Sequence, residues 1–207
     1  MTIDTVIFDF GGVLYNTPAA RSFSRWLRIL GIKEDPQAMA MIYDPSSSPL
    51  FWNIMRGKMS EQEMWIILAR QWKIPPALIG CFQRSMISRK RLNKPMAEYL
   101  TAIRSKYKTG ILSNAGDEFR KTMENTFKFD QLVNMIIISA EEGYAKPDSE
   151  IYQIAIDRFN TSAENCVFVD DLIENVEAAQ ALGMHAIHHQ NNDETIRKLD
   201  QVLKGEL

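Results

Sequence analysis

Short runs of β-branched, aliphatic and aromatic residues recur along the chain, and each one is closed by polar or glycine residues. The first run is TVIF, inside the segment Asp4–Asp9, and the pair Gly11-Gly12 follows it. Runs of this length and composition are typical of buried β-strands. Similar runs predict further strands at residues 109–113, 134–139, 166–170 and 185–188.

Helical periodicity separates these strands in the second half of the chain. Strands that alternate with helices are parallel and are joined by crossover connections. We therefore expect an α/β fold with a doubly wound, Rossmann-like parallel sheet. The predicted helices cover residues 94–105, 117–126, 149–159, 173–182 and 193–204.

Residues 17–90 show helical patterns and no convincing strand. One helix begins with a capping box, in which the side chains of Ser60 and Glu63 satisfy each other's backbone donors. An all-helical block between the first and second strands predicts an inserted helical cap domain, with residues 1–16 and 91–207 forming the α/β core. The block also holds all four tryptophans, Trp26, Trp52, Trp65 and Trp72.

The composition is that of a soluble globular protein. Of the 207 residues, 45% are apolar and 24% are charged, and the net charge of −2 disfavours nucleic acid as a partner. No apolar run approaches the roughly 20 residues of a membrane helix, and Met1 leads directly into a strand pattern, so we expect a cytoplasmic protein without membrane association. Cys81 and Cys166 have no metal-ligand spacing and predict reduced thiols. The sequence does not indicate an oligomeric state.

Polar residues stand where several predicted strands end. Because the carboxyl ends of parallel strands meet at one crevice, these residues are expected to come together there. They are Asp9 after the first strand, Ser113 and Asn114 after the second, Lys146 in the loop after the third, and Asp170 and Asp171 after the fourth.

These side chains suit a metal ion and an anionic substrate. Asp9, Asp170 and Asp171 have reference pKa values near 4, so their charges repel one another and require a cation. Oxygen ligands without nearby His or Cys favour Mg²⁺. The Lys146 ammonium, the Ser113 hydroxyl and backbone N–H groups at a helix start can bind phosphate oxygens. A small phosphorylated molecule is therefore the expected substrate.

Four segments, IFDFGGVL, ILSN, AKPDSEIY and VFVDDLIEN, resemble the four ordered motifs of the haloacid dehalogenase superfamily. With the helical insertion, the chain is similar to the superfamily's phosphatases that carry a small cap after the first motif. Among these it looks closest to the sugar-phosphate phosphatases and to the phosphatase domain of soluble epoxide hydrolases. The resemblance implies a magnesium-dependent phosphomonoester hydrolase.

The resemblance also implies roles for single residues. Asp9 corresponds to the nucleophile that forms an aspartyl-phosphate. Ser113 and Asn114 correspond to the residues that hold and orient the phosphoryl group, and Gly12 is grouped with them. Lys146 corresponds to the lysine that neutralises the nucleophile and the phosphoryl oxygens.

The metal site follows from the same resemblance. Asp170 and Asp171 correspond to residues that hold Mg²⁺ directly or through water. Asp9 and the backbone carbonyl of Gly11 complete the ligands from the protein. Asn175, one helical turn after Asp171, is expected to support the acidic loop.

One position departs from the pattern. The superfamily's phosphatases usually carry a second Asp two residues after the nucleophile, as general acid and base, where this chain has Gly11. Such catalysis typically contributes about a hundred- to ten-thousand-fold in rate. Two alternatives stay open: a carbon–halogen hydrolase, whose leaving halide needs no proton, and a phosphoryl-binding regulatory protein with reduced turnover. The Asp170-Asp171 pair disfavours the first, because the superfamily's dehalogenases work without metal and lack such a pair.

Overall fold

A five-stranded parallel sheet forms the centre of the molecule. The computed structural model describes residues 2–16, 47–75, 78, 80 and 91–206. The sheet has the order β5-β4-β1-β6-β7, and a separate antiparallel pair consists of β2 and β3. The strands are β1 (Thr5–Phe8), β2 (Tyr15–Asn16), β3 (Arg91–Leu92), β4 (Lys108–Ser113), β5 (Met135–Ile138), β6 (Cys166–Asp170) and β7 (His185–His188).

The first strand lies in the middle of the sheet. It pairs in parallel with β4 on one side, where Phe8 is opposite Ile111, and with β6 on the other, where Phe8 is opposite Val169. The chain therefore runs from β1 to β4 and β5 on one side and returns to β6 and β7 on the other, and such a reversal in strand order opens a crevice at the carboxyl ends. This arrangement confirms the predicted α/β fold with a parallel Rossmann-like sheet.

Helices cover both faces of the sheet. The alternating side chains of β1 separate two apolar clusters: Phe8 packs with one, and Ile7 packs with the other. The helices are α1 (Pro49–Met55), α2 (Glu61–Gln71), α3 (Lys94–Ile103), α4 (Phe119–Thr122), α5 (Ser139–Glu142), α6 (Ser149–Phe159), α7 (Ile173–Ala181) and α8 (Asn192–Leu203).

The predicted helix at residues 117–126 differs in the structure. Helix α4 is followed by a π-helical stretch, Met123–Phe127, which ends at Lys128 with φ of 58°. The wider turn accompanies the packing of Phe127 on Tyr15, with ring centroids 4.6 Å apart. Asp117, expected to start this helix, instead accepts a hydrogen bond at 3.0 Å from the backbone N–H of Glu61 in α2.

The described part of residues 17–90, hereafter the cap segment, contains α1 and α2. The capping box of Ser60 and Glu63 is present, as predicted. Ile54, Met64 and Leu68 form a small apolar cluster of their own, against which Trp65 and Trp72 pack. Trp26 and Cys81 lie outside the described residues, and the division into a core domain and a helical cap domain stays a prediction. No helix in the described ranges is long and apolar enough to span a bilayer.

Candidate active site

Lys146 joins the ends of two neighbouring strands. Its Nζ donates to Asp9 Oδ1 and to Asp170 Oδ2, both at 2.6 Å. Asp9 follows β1 directly and Asp170 ends β6, so the parallel pairing of these strands places the two carboxylates side by side. The Lys146 side chain is only 2% exposed, and its Nζ lies 5.3 Å from the centroid of the Phe168 ring. These three side chains are therefore shielded from bulk water, and ion pairs are stronger in such surroundings than in water.

Asp170 is fixed by several donors. The backbone N–H of Leu172 donates to Oδ1 at 2.9 Å, and Asn175 Nδ2 lies 3.0 and 3.1 Å from the two oxygens. Asn175 is itself buried, and its carbonyl accepts a hydrogen bond from the Tyr152 hydroxyl at 2.9 Å. The start of α7 thus orients the Asp170 carboxylate, and Asn175 lies where sequence reasoning placed it, beside the acidic loop.

Three carboxylates converge at this edge of the sheet. Asp9, Asp170 and Asp171 each offer an oxygen, and these oxygens lie within 4.8 Å of one another. Burial, with repulsion from Asp170 and Asp171, raises the pKa of Asp9 to about 7 against the opposing effect of Lys146. Burial and the charge of Asp170 likewise raise the pKa of Asp171. Burial is the largest cause of both shifts, and repulsion between the carboxylates adds to it.

The donor set fits a divalent cation. Three carboxylates and one ammonium carry a net charge of −2 when all are ionised. Burial opposes the charge of Lys146, but attraction from Asp9 and Asp170 outweighs it and raises the lysine pKa, so the ammonium persists. Oxygen ligands with excess negative charge are the environment that Mg²⁺ binds in proteins.

The loop that carries Lys146 is held by a side chain from the neighbouring strand end. Asn114, directly after β4, accepts from the Lys146 backbone N–H at 2.8 Å and donates to the Lys146 carbonyl at 2.7 Å. Both ends of this amide therefore bond to the Lys146 backbone. The structure gives Asn114 a direct part in positioning the lysine, and its predicted contact with a phosphoryl group stays a prediction.

Gly12 has a steric role at the site. Its φ is +80°, and a Cβ added there would lie 2.0 Å from Asp171 Oδ2. Its backbone N–H donates to the Tyr15 carbonyl at 2.9 Å. Glycine at this position leaves room for the Asp171 carboxylate, and the predicted contact of Gly12 with a phosphoryl group stays a prediction.

Gly11 has open space beside it among the described residues. Of their atoms, a Cβ at this position would meet only Asp9 Oδ2, at 3.9 Å, and the φ of Gly11 lies outside the left-handed region. Neither the described surroundings nor the backbone conformation therefore requires glycine at position 11. The described residues therefore leave room for an Asp at position 11, the general acid and base that the family resemblance leads us to expect there.

Ser113 is buried at the end of β4, where it pairs with Ile138 of β5. The next residues along the chain are braced by Ser139, whose Oγ accepts from the Ala115 N–H at 3.1 Å. Ser139 begins α5 immediately after β5. The strand ends that carry Ser113, Asp9 and Asp170 are thus adjacent, with β4 and β6 on either side of β1.

Several residues that support the site are not among those predicted from the sequence. The Tyr152 hydroxyl donates to the Asn175 carbonyl, and the His188 ring Nε2 lies 3.0 Å from the Asp171 carbonyl. Asp148 accepts from the Ala145 N–H within the Lys146 loop and makes a two-bond ion pair with Arg56 of the cap segment. Tyr152 and Asp148 lie inside the segment AKPDSEIY and His188 ends β7, but nothing in the sequence indicates which groups they bind.

Comparison with known proteins identifies the family. The family model for haloacid dehalogenase-like hydrolases matches residues 6–188. The chain belongs to this hydrolase family. The match covers the five strands of the parallel sheet except for Thr5, and it includes every candidate site residue, so the resemblance drawn from the four motifs is confirmed.

Two curated relatives and one solved structure show how this haloacid dehalogenase-like hydrolase compares. A sesquiterpene phosphatase of Aspergillus oryzae is 28% identical over 204 residues, covering 98% of this chain and 97% of the relative. Mouse bifunctional epoxide hydrolase 2 is 24% identical over 98% of this chain, which spans only 39% of that protein. A family enzyme from Bacteroides thetaiotaomicron, solved with magnesium and inorganic phosphate, superimposes with a TM-score of 0.78 at 20% identity, covering 91% of this chain and 94% of that one.

Proposed function

We propose that this hydrolase is a magnesium-dependent phosphomonoesterase that acts on a small phosphorylated metabolite through an aspartyl-phosphate on Asp9. The observation that carries the proposal is the placement of Asp9, whose carboxylate is bonded to Lys146 and lies in a cluster with Asp170 and Asp171. A nucleophilic carboxylate beside fixed positive charge is suited to attack on phosphorus. The phosphatase relative and the magnesium and phosphate bound to the Bacteroides enzyme support the same chemistry.

The reaction has two displacements at phosphorus. In the first, an Asp9 oxygen forms a bond to phosphorus while the bond to the ester oxygen breaks, and the leaving alkoxide takes a proton from solvent water. In the second, water attacks the aspartyl-phosphate and gives a proton to the solvent, the P–O bond to Asp9 breaks, and inorganic phosphate leaves. Lys146 reduces the charge repulsion between Asp9 and the phosphoryl oxygens in both steps.

The acidic cluster is the proposed magnesium site. Asp9, Asp170 and Asp171 would hold the ion, together with the Gly11 carbonyl. When bound, Mg²⁺ supplies positive charge against the phosphoryl oxygens and the carboxylates. Ser113 would donate its hydroxyl to the phosphoryl group from the end of β4.

The cap segment is the proposed source of selectivity for the leaving group. We keep the domain boundaries expected from the sequence, with residues 17–90 as the helical cap domain and residues 1–16 and 91–207 as the α/β core. With Gly11 beside the nucleophile, the leaving alcohol receives its proton from another source, and alcohols of low pKa should leave fastest.

A phosphate-release screen tests the proposal. Purified protein is assayed against a panel of phosphomonoesters that includes sugar phosphates and a sesquiterpenyl phosphate, with Mg²⁺ and with a chelator. We expect release that requires Mg²⁺ and is abolished in Asp9→Asn, a variant close in size to the wild type. A folded protein that releases phosphate from no substrate would contradict the proposal, and chloride release from a 2-chloroacid in the presence of chelator would favour the carbon–halogen alternative.

A further inference from the structure

The geometry points to Arg56, in the turn after α1, as a positioning residue that couples the cap segment to the Lys146 loop. The inference rests on the proposed function, since Lys146 is taken to assist attack by Asp9. Arg56 Nε and Nη2 lie 3.0 and 2.9 Å from the two oxygens of Asp148. Two parallel bonds fix the relative orientation of a guanidinium and a carboxylate, which a single contact does not.

Asp148 transmits this contact to the lysine. The oxygen that Arg56 Nε binds also accepts from the Ala145 N–H at 3.3 Å, and the Asp148 N–H donates to the Ala145 carbonyl at 2.8 Å. These two bonds close a turn over residues 145–148, with Lys146 inside it. Since Asn114 bonds to the other side of the Lys146 backbone, the loop is held from β4 and from the cap segment together.

Arg56 is itself held in place on the cap side. Its guanidinium carbon lies 4.9 Å from the centroid of the Trp52 ring, one helical turn earlier in α1. The next residue, Gly57, has φ of +63°, and a Cβ there would come within 2.2 Å of the Ala140 carbonyl oxygen of α5. The turn at residues 56–57 is therefore pressed closely against the core next to the Lys146 loop.

The consequence is a specific kinetic effect. Without Arg56, the Asp148 carboxylate is free to rotate, and the turn around Lys146 loses one of its supports. A displacement of about 1 Å in a catalytic group can lower the rate on the order of a hundredfold. We expect Arg56→Met to lower kcat by roughly tenfold to a hundredfold and to change KM far less, because Arg56 acts through Lys146 and not on the leaving group.

A double-mutant cycle tests the path through Asp148. Asp148→Asn removes the charge but keeps an oxygen acceptor for the Ala145 N–H. If both residues act through one contact, the double variant should have the kcat of the slower single variant. The kcat of Arg56→Lys should lie between those of wild type and Arg56→Met, because lysine keeps the charge without the two-bond geometry. Rate losses that multiply, or a change in KM alone, would overturn the inference.

A matched control and a second readout separate this inference from the proposed function. Arg158 of α6 pairs with Glu142 of α5 at 2.8 Å, and neither residue belongs to the turn at residues 145–148, so Arg158→Met should leave kcat unchanged. Hydrogen exchange of peptides covering residues 144–149 needs no substrate, and it should be faster in Arg56→Met than in Arg158→Met. Equal exchange in these two variants would refute the coupling, whereas a wild-type protein without phosphatase activity would refute the proposed function alone.

Discussion

Replacing Lys146 by methionine removes the positive charge at the centre of the site while keeping most of the side-chain volume. The ammonium lies 2.6 Å from both Asp9 and Asp170 and is almost fully buried. Without it, two carboxylates face each other in an environment that cannot solvate them. Removing one partner of a buried ion pair typically costs about 3–5 kcal/mol of folding free energy. For a chain of this size that corresponds to a fall in Tm of roughly 6–20 °C.

The loss should depend on pH. Burial and the neighbouring carboxylates already raise the Asp9 pKa to about 7, and removal of Lys146 raises it further. Near pH 5 Asp9 is protonated in the folded protein, so little charge is left uncompensated. Near pH 8 the variant must either bury two ionised carboxylates side by side or take up a proton when it folds, so the destabilisation should be larger there.

Urea unfolding in the presence of a chelator measures this effect. The matched control is Lys198→Met, because the Lys198–Glu194 pair is exposed and pairs of this kind contribute little to stability. We expect Lys146→Met to lose several kcal/mol more than Lys198→Met at pH 8, and phosphate release to fall by a factor on the order of a hundred or more. Equal stability of the two variants at pH 8 would refute the reasoning from buried charge.

Three further predictions concern the glycines and the metal. At Gly11 the described residues leave open space next to Asp9 Oδ2. Gly11→Asp should speed the hydrolysis of alkyl phosphates by roughly tenfold or more and that of aryl phosphates less, because it restores a proton donor for poor leaving groups. Equal acceleration of both classes would contradict this prediction. Gly12→Ala should weaken Mg²⁺ binding at least about tenfold in a calorimetric titration, because its Cβ would displace Asp171. Gly143→Ala, with the same φ of +80° and no atom of the described residues within 4 Å of the added Cβ, should bind Mg²⁺ like wild type. Between pH 4 and pH 7 the metal-free folded protein holds a proton on Asp9 that the unfolded chain has released, so the stability of the fold falls by about 1.4 kcal/mol per pH unit as pH rises. Mg²⁺ should therefore raise Tm more at pH 8 than at pH 5. An increase in Tm that does not depend on pH would contradict the raised pKa of Asp9.

Local patterns predicted much of the fold. Strands β6 and β7 and helix α6 have the bounds expected from their sequences, because an apolar run closed by polar residues and a complete amphipathic helix are local features. The polar strand ends also fall together, since parallel pairing forces neighbouring carboxyl ends to one edge. The family resemblance adds a role for each of these residues, and those roles stay predictions.

Contacts between distant segments could not be predicted in this way. Arg56 and Asp148 are 92 positions apart, and neither lies in a pattern that names its partner. Asp117 is predicted to start its own helix, but its side chain accepts a hydrogen bond from the backbone N–H of Glu61 in the cap segment. This bond places the first turn of α2 against the loop after β4. The π-helical turn before Lys128 likewise accompanies aromatic packing on Phe10 and Tyr15, which the local periodicity of residues 117–126 does not contain.

The central claim is that Asp9 carries the phosphoryl group between the two displacements. Mass spectrometry of peptides from acid-quenched turnover with an active phosphomonoester and Mg²⁺ tests it directly. We expect a phosphorylated peptide containing Asp9 in the wild type and none in Asp9→Asn, which should also release no phosphate. Phosphate release by Asp9→Asn at the wild-type rate, or phosphorylation at another residue, would contradict the account.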